Sequence, residues 1–367
     1  MTSIPLVDLK AAHAEVAEEV EAGFKRVIAD TAFIGGGEVA AFEEEYAAFS
    51  GVPHCVGVAN GTDALELALR AVGVGPGSRV ILPANTFIAT AEAVARAGAR
   101  PVLVDCDPET YLLDVDATLD AVTHGTSAVI PVHLYGQLAP VERLAAGLAG
   151  TGVRIVEDAA QCQGATRHGL SAGSRGIAAT SFYPGKNLGA YGDAGAVLTA
   201  DGGLADAVRM LANHGGVRKY EHEVVGFNSR LDGLQAVVLR AKLARLAAWS
   251  AARRAAAARY DALLSSLDDV VRPVTLPGNE HVWHLYVVRV PCRAAVLAAL
   301  NAAGIGAGIH YPAPVHLTTA FNDLGYAEGD FPHAEAAAAE VLSVPLFPQI
   351  TAAQQERVVE MLAATLR

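Results

Sequence analysis

The sequence predicts an α/β protein: a large domain on a mixed, mostly parallel sheet, then a smaller α+β domain. Three observations predict it. Apolar, β-branched runs recur through the first two hundred residues: "RVILP" (79–83), "RPVLVD" (100–105), "SAVIPVHL" (127–134), "VRIVED" (153–158) and "GAVLTA" (195–200). Each is nearly continuous in apolar residues rather than alternating, which suits strands covered on both faces. Helical patterns separate several of them, and strand–helix alternation implies right-handed crossovers. Beyond Leu231 the pattern changes to long helix followed by isolated strand and helix signals.

In chain order, "GEVAAFEEEYAAFS" (37–50) sets Val39, Phe42, Tyr46 and Phe49 on one helical face, by default a core face. "TDALELALRAV" (62–72) repeats Leu65, Leu69 and Val72 at helical spacing, and "ATAEAVARAG" (89–98) ends on a glycine suited to a helix C-terminus. From Leu231 to about Leu264 the chain is rich in Ala, Leu and Arg with few breakers, which predicts long helices. "HVWHLYVVRVPC" (281–292) reads as a strand, "RAAVLAALNAAG" (293–304) as a helix, "GAGIHYP" (306–312) as extended, and the end as helical. The domain boundary falls within helix near 245–260, giving a 1–250 domain and a 251–367 domain without a flexible linker.

Composition narrows the function classes. The 367 residues are 52% hydrophobic and 18% charged, which supports a large core. A net charge of −12 with no long basic run speaks against a nucleic-acid surface. An anionic ligand would need a local cluster of donors. Cys55, Cys106, Cys162 and Cys292 are scattered without a C-x-x-C pair, so reduced cytoplasmic thiols are expected and neither a metal site nor a disulfide framework is. Asp8 and Lys10 interrupt the apolar core that a signal peptide needs. The uncharged stretch 124–141 is broken by Pro131, Gly136 and Pro140, so it reads as strand plus loop rather than a membrane span.

Three segments carry chemistry. "SFYPGKNLGAYGDAGAV" (181–197) holds Lys186 in a glycine-rich turn. A phosphate-binding P-loop is excluded, because position 180 is Thr and position 187 is Asn. The glycines imply a sharply turning backbone that approaches something closely, and a desolvated lysine forms Schiff bases. "VRIVEDAAQ" puts Glu157 and Asp158 at the end of a buried-type strand, where ligands of open α/β sheets sit. Asp158 could there cap a following helix or pair with a cationic ring nitrogen. "VANGTDAL" (58–65) opens a helix with Gly61 and Thr62, either as ordinary capping or as an anion site. A phosphate cradle, a carboxylate and a lysine are together the parts a pyridoxal phosphate enzyme needs.

With those segments, "FEEEYAAFSGV", "PANTFIATAEAV", "PVHLYGQ", "GFNSRLDGLQAVVL" and "GIHYPAPVHL" follow in order over nearly the whole chain. The sequence thereby resembles the DegT/DnrJ/StrS sugar aminotransferases, of type I (aspartate aminotransferase-like) fold. The resemblance implies that Lys186 binds pyridoxal 5'-phosphate as a Schiff base and shuttles a proton, with pyridoxamine 5'-phosphate as the alternate cofactor form. It implies that Asp158 pairs with the ring nitrogen, Gln161 with the ring's phenolic oxygen, and that Phe87 stacks on the ring face. Gly61, Thr62 and Ser181 would bind the phosphate. Asn228 would reach the phosphate of a neighbouring subunit, making a homodimer with shared active sites.

Tyr183, Lys219, His310 and Tyr311 match positions that line the hexose pocket in related enzymes. The implied reaction moves an amino group from L-glutamate to a nucleotide-linked keto sugar. C-3 amination of a thymidine-diphosphate 3-keto-6-deoxyhexose is preferred over C-4, uronic acid or aminocyclitol substrates. "FIGGGEVAAFE" departs from the family's leucine-glycine-proline turn, which bears on a loop near the subunit interface.

Overall fold

The computed structural model describes residues 3–218 and 220–366. Seven strands form the central sheet: β1 (His54–Val58), β2 (Arg79–Pro83), β3 (Arg100–Val104), β4 (Thr126–Val129), β5 (Arg154–Asp158), β6 (Ile177–Ser181) and β7 (Gly195–Thr199). Their order is β1-β7-β6-β5-β4-β2-β3. The pairings from β3 through β6 are all parallel. β7 runs antiparallel to both β6 and β1. All five residues of β7 are buried, so its apolar run correctly signals two covered faces without revealing its direction.

Helices cover the sheet. The Gly61–Ala71 helix packs Leu65, Leu67 and Leu69 into one apolar cluster with Val80, Leu82, Val156 and Val197. On the other face Phe42 and Tyr46 of the Gly37–Ser50 helix meet Phe182, edge to face at 5.4 and 5.3 Å. Phe49, expected on the same inward face, is partly exposed because its position falls at the helix end.

The Ala-rich segment is one 31-residue helix, Gly233–Leu263, which passes residue 250 without a break. Its last turns enter a separate core with Tyr286, Val288, Leu342, Phe347 and Val358. Ile4 belongs to that C-terminal core, bridged to Ile305, so the N-terminus crosses over to it.

Three expectations are corrected. The strand expected over 127–134 stops at Val129, because Pro131 cannot continue the ladder and Leu134–Gly136 turns as a 3-10 helix. Only Tyr286–Arg289 of the 281–292 run is strand; Trp283 sits at φ +50°, and His281 stacks on it at 3.9 Å. β5 is followed by a turn and not by a helix, so Asp158 caps none; its Oδ1 accepts the amide of Ala160 two residues on, at 3.1 Å. The helices Leu9–Ala14, Ala17–Asp30 and Gly202–Ala212 carried no sequence reading.

Candidate active site

The strand ends of the parallel half of the sheet open on a cleft of about 540 Å³. Gly61, Thr62, Phe87, Asp158, Gln161, Ser181, Tyr183, Lys186, His310 and Tyr311 all line it. Asn228 does not; it lines an adjoining cavity of about 430 Å³ together with Asn60 and Asp193, and those two residues border both spaces. Lys219 lies outside the described residues.

Asp158 ends β5 and is 5% exposed. The hydroxyl of Thr90 donates to its Oδ2 at 2.8 Å, and Thr86 stands 2.8 Å from Thr90. Thr90 spends its single proton on Asp158, so Thr86 donates to Thr90. Thr90 on Oδ2 and the Ala160 amide on Oδ1 thus hold one carboxylate oxygen each.

Lys186 follows β6 in a turn closed by its own amide to the carbonyl of Tyr183 (2.8 Å) and by Ala190 N to Phe182 O (2.8 Å). Gly189 is required there, since a Cβ would fall 2.3 Å from the carbonyl oxygen of Pro184. Lys186 is half-buried, and burial of its amine brings its pKa down to about 8 despite the opposing pull of Asp158.

Gly61 opens its helix, and Asn60 caps it by accepting the amide of Asp63 at 2.8 Å. The amides of Gly61 and Thr62 are among those a helix leaves without internal partners. A Cβ on Gly61 would lie 2.5 Å from that of Ser181, so glycine lets the helix start meet the serine. The result is a narrow corner of backbone amides and two hydroxyls, at the positive end of a helix macrodipole.

Gln161 is aimed by two contacts: its Oε1 accepts the amide of Tyr135 (2.7 Å) and its Nε2 donates to the Tyr311 hydroxyl (3.0 Å). One N–H of that amide remains for a ligand. Phe87 is 52% exposed, too open for a core aromatic, and its ring stands 5.3 Å from that of Tyr311. His310 Nδ1 bonds Ser343 Oγ at 2.8 Å, and burial holds its pKa at about 4, so the ring is neutral near pH 7. Tyr135 donates to the His310 carbonyl. Asn228 Oδ1 accepts from Arg230 at 2.6 Å, and the helix beyond begins after Asp232, whose side chain makes no capping bond.

Sequence reading missed Thr90, Asn60, Asp193 and His284. Asn60 was legible as an N-cap directly before Gly61, and Thr90 as the residue three beyond Phe87 on one helical face. His284 stands in an irregular stretch read as strand and had no such signal.

A flat ring bearing a phosphate fits this donor set. The amide corner suits the phosphate, Asp158 suits a protonated ring nitrogen, and an exposed aromatic and a buried amine complete the cleft. These are the features of a pyridoxal phosphate-dependent aminotransferase. The chain belongs to the DegT/DnrJ/EryC1/StrS aminotransferase family, whose model matches residues 14–363.

It is 45% identical to a dTDP-3-amino-3,4,6-trideoxy-alpha-D-glucose transaminase of Streptomyces venezuelae, over 97% of this chain and 94% of that one. It is equally similar, at 45%, to a UDP-N-acetyl-3-dehydro-alpha-D-glucosamine 3-aminotransferase of Acidithiobacillus ferrooxidans (100% and 98% covered). A relative of Geobacillus stearothermophilus called a pleiotropic regulatory protein also matches at 45% (100% and 99%). Among solved structures, that of S. venezuelae DesV in complex with a ketimine intermediate superposes with a TM-score of 0.97 at 44% identity, covering 99% of this chain and 98% of that one.

No helix among the described residues is long and apolar enough to cross a membrane. Nor does any group of three or more His, Cys, Asp and Glu there stand close enough to hold a metal ion.

Proposed function

We propose that this aminotransferase transfers the amino group of L-glutamate to C-3 of a nucleotide-linked keto sugar, with a dTDP-3-keto-6-deoxyhexose as its substrate. The observation that carries the reading is the Lys186 amine in one cleft with Asp158, in a chain whose full-length relatives are named for 3-amination of nucleotide sugars. Intact Lys186 and Asp158 favour catalysis over a purely regulatory role, despite the name of one relative.

Bound pyridoxal phosphate supplies an electron sink that makes the hydrogen on the amino-bearing carbon acidic. The chain's residues supply the rest. Lys186 is the proton carrier: an amine with a pKa of about 8 is present in both forms near neutral pH, so it can accept a proton and return it. Asp158, aimed by Thr90 and Ala160, holds a proton at the ring nitrogen. Gly61, Thr62 and Ser181 hold the phosphate and Gln161 the phenolic oxygen, while Phe87 covers a ring face.

Tyr183, His310 and Tyr311 line the space left for the sugar, with Lys219 assigned to the same role. Asn228 lines the adjoining cavity and not this cleft, which supports a homodimer in which it serves the partner's phosphate. Buried free Cys55, Cys106 and Cys162 suit a reducing, cytoplasmic setting.

The test is turnover with glutamate against dTDP- and UDP-linked 3-keto and 4-keto sugars, with the aminated carbon located by NMR. C-3 amination of the dTDP substrate is expected. Reaction of a 4-keto sugar while the 3-keto ones are ignored would overturn the reading.

A further inference from the structure

His284 is buried in the wall of the Lys186 cleft, yet the roles above leave it unused. Its tautomer is dictated by its neighbours. Asn187, next to the lysine, donates from Nδ2 to the carbonyl of Val282 at 2.9 Å, which fixes the amide's orientation. Its Oδ1 therefore faces His284 Nδ1 at 3.3 Å, and an oxygen there requires Nδ1 to carry the hydrogen. Nε2 is left as a bare lone pair. It has no hydrogen-bond partner among the described residues, and it is not sealed in the core, because His284 borders the cleft.

The ring stays neutral. Lys186, Arg253, His310 and His281 all oppose a charge on it, and burial holds its pKa well below the usual range. Facing Lys186 are thus one carboxylate, Asp158, the buried Cys162 thiol and two neutral imidazoles, His284 and His310; His310 engages Ser343 through Nδ1, whereas the ring of His284 is oriented by Asn187, the residue next to the lysine. A carboxylate committed to a ring nitrogen cannot also serve the amine.

We propose that His284 is a positioning residue for Lys186, accepting a hydrogen bond at Nε2 from the lysine amine whenever that amine is free. The bond holds the ammonium form without adding negative charge and keeps the amine at the cleft floor for the return of its proton. This rests on the cofactor reading of the cleft.

The test compares His284→Asn, which keeps a donor toward Asn187 but removes the Nε2 acceptor, with His284→Gln, which places an amide oxygen near Nε2. The readout is the rate at which each apoenzyme takes up pyridoxal phosphate from pH 6.5 to 9.5. In His284→Asn the midpoint moves down by about one unit, a tenfold loss of proton affinity, as expected for one bond to a charged group. His284→Gln returns toward wild type, and kcat follows the same order with KM for glutamate unchanged. Unmoved midpoints in both variants, with normal uptake, overturn the inference alone. A wild-type chain that takes up no pyridoxal phosphate overturns the reading of the cleft as well.

Should His284→Asn not fold, imidazole nitrogen NMR of the wild-type protein decides. The Nδ1–H form is expected, with the Nε2 signal displaced once borohydride fixes the cofactor on Lys186. An Nε2–H form would overturn the proposal.

Discussion

The hydroxyl of Thr90 donates to Asp158 Oδ2 at 2.8 Å, joining the helix after β2 to the carboxylate that ends β5. This bond decides where the carboxylate points. Thr90→Val keeps the shape and removes the donor. Hydrogen bonds to charged groups contribute roughly 1.5–3 kcal/mol, so cofactor affinity should fall roughly ten- to a hundredfold, with Thr90→Ser near wild type. Absorbance titration of the apoenzyme measures it.

Gly61→Ala places a methyl 2.5 Å from the Ser181 Cβ. Crowding of this kind costs about 1–3 kcal/mol. The melting temperature should drop, and phosphate-bearing cofactor should be lost on dialysis. Adding Ser181→Gly should restore the melting temperature without restoring cofactor retention, since the hydroxyl is gone.

The pKa of Lys186, about 8, sets a pH dependence. Only the neutral amine attacks the cofactor aldehyde, and at pH 7 roughly a tenth of it is neutral. Uptake of pyridoxal phosphate by the apoenzyme should therefore rise about tenfold per unit below pH 8 and level off above pH 9. Stopped-flow absorbance gives the profile.

Lys242 is 4% exposed, reaches the Gly189 carbonyl at 2.6 Å and lies over the Tyr191 ring. Burial lowers its pKa from 10.5 to about 8 as well. Between pH 8 and 10.5 the unfolded chain binds the proton that the folded chain has lost, so this residue's penalty is full below pH 8 and is relieved as pH rises. Relative to Lys242→Met, the wild-type apoenzyme should gain stability from pH 8 to 10. Buried tyrosines and thiols titrate in both proteins and cancel in the difference. Paired thermal melts check the sign.

If Asn228 serves the partner's site, dimers that mix Asn228→Ala with Lys186→Ala subunits should have one site with both defects and one with neither. Roughly half of one dimer's activity should return on mixing two inactive parents. No recovery would contradict a shared site.

The readable parts of this fold were those whose signal is local. Apolar runs that end in polar groups, as in "VRIVED" at Asp158 and the strand before the turn around Lys186, marked both a strand and the candidate residues at its end. What escaped depends on distant partners. Thr90 is an ordinary small helix residue until β2 and β5 are brought into one sheet. The Ala17–Asp30 helix buries only Val20, Gly23 and Val27, a thin stripe that makes sense once Val237 and Val238 of the long helix lie against it. His284 owes its place to a backbone turn at Trp283 that its neighbours impose and no local residue announces.

Two lysines with desolvated amines, Lys186 and Lys242, share a lowered pKa near the same loop, so the central claim is most directly tested by asking which one carries the cofactor. Borohydride reduction of the holoenzyme followed by peptide mass analysis should place the pyridoxyl group on Lys186, with loss of the visible band and of turnover. A label on Lys242 or elsewhere, with Lys186 unmodified, would contradict the account.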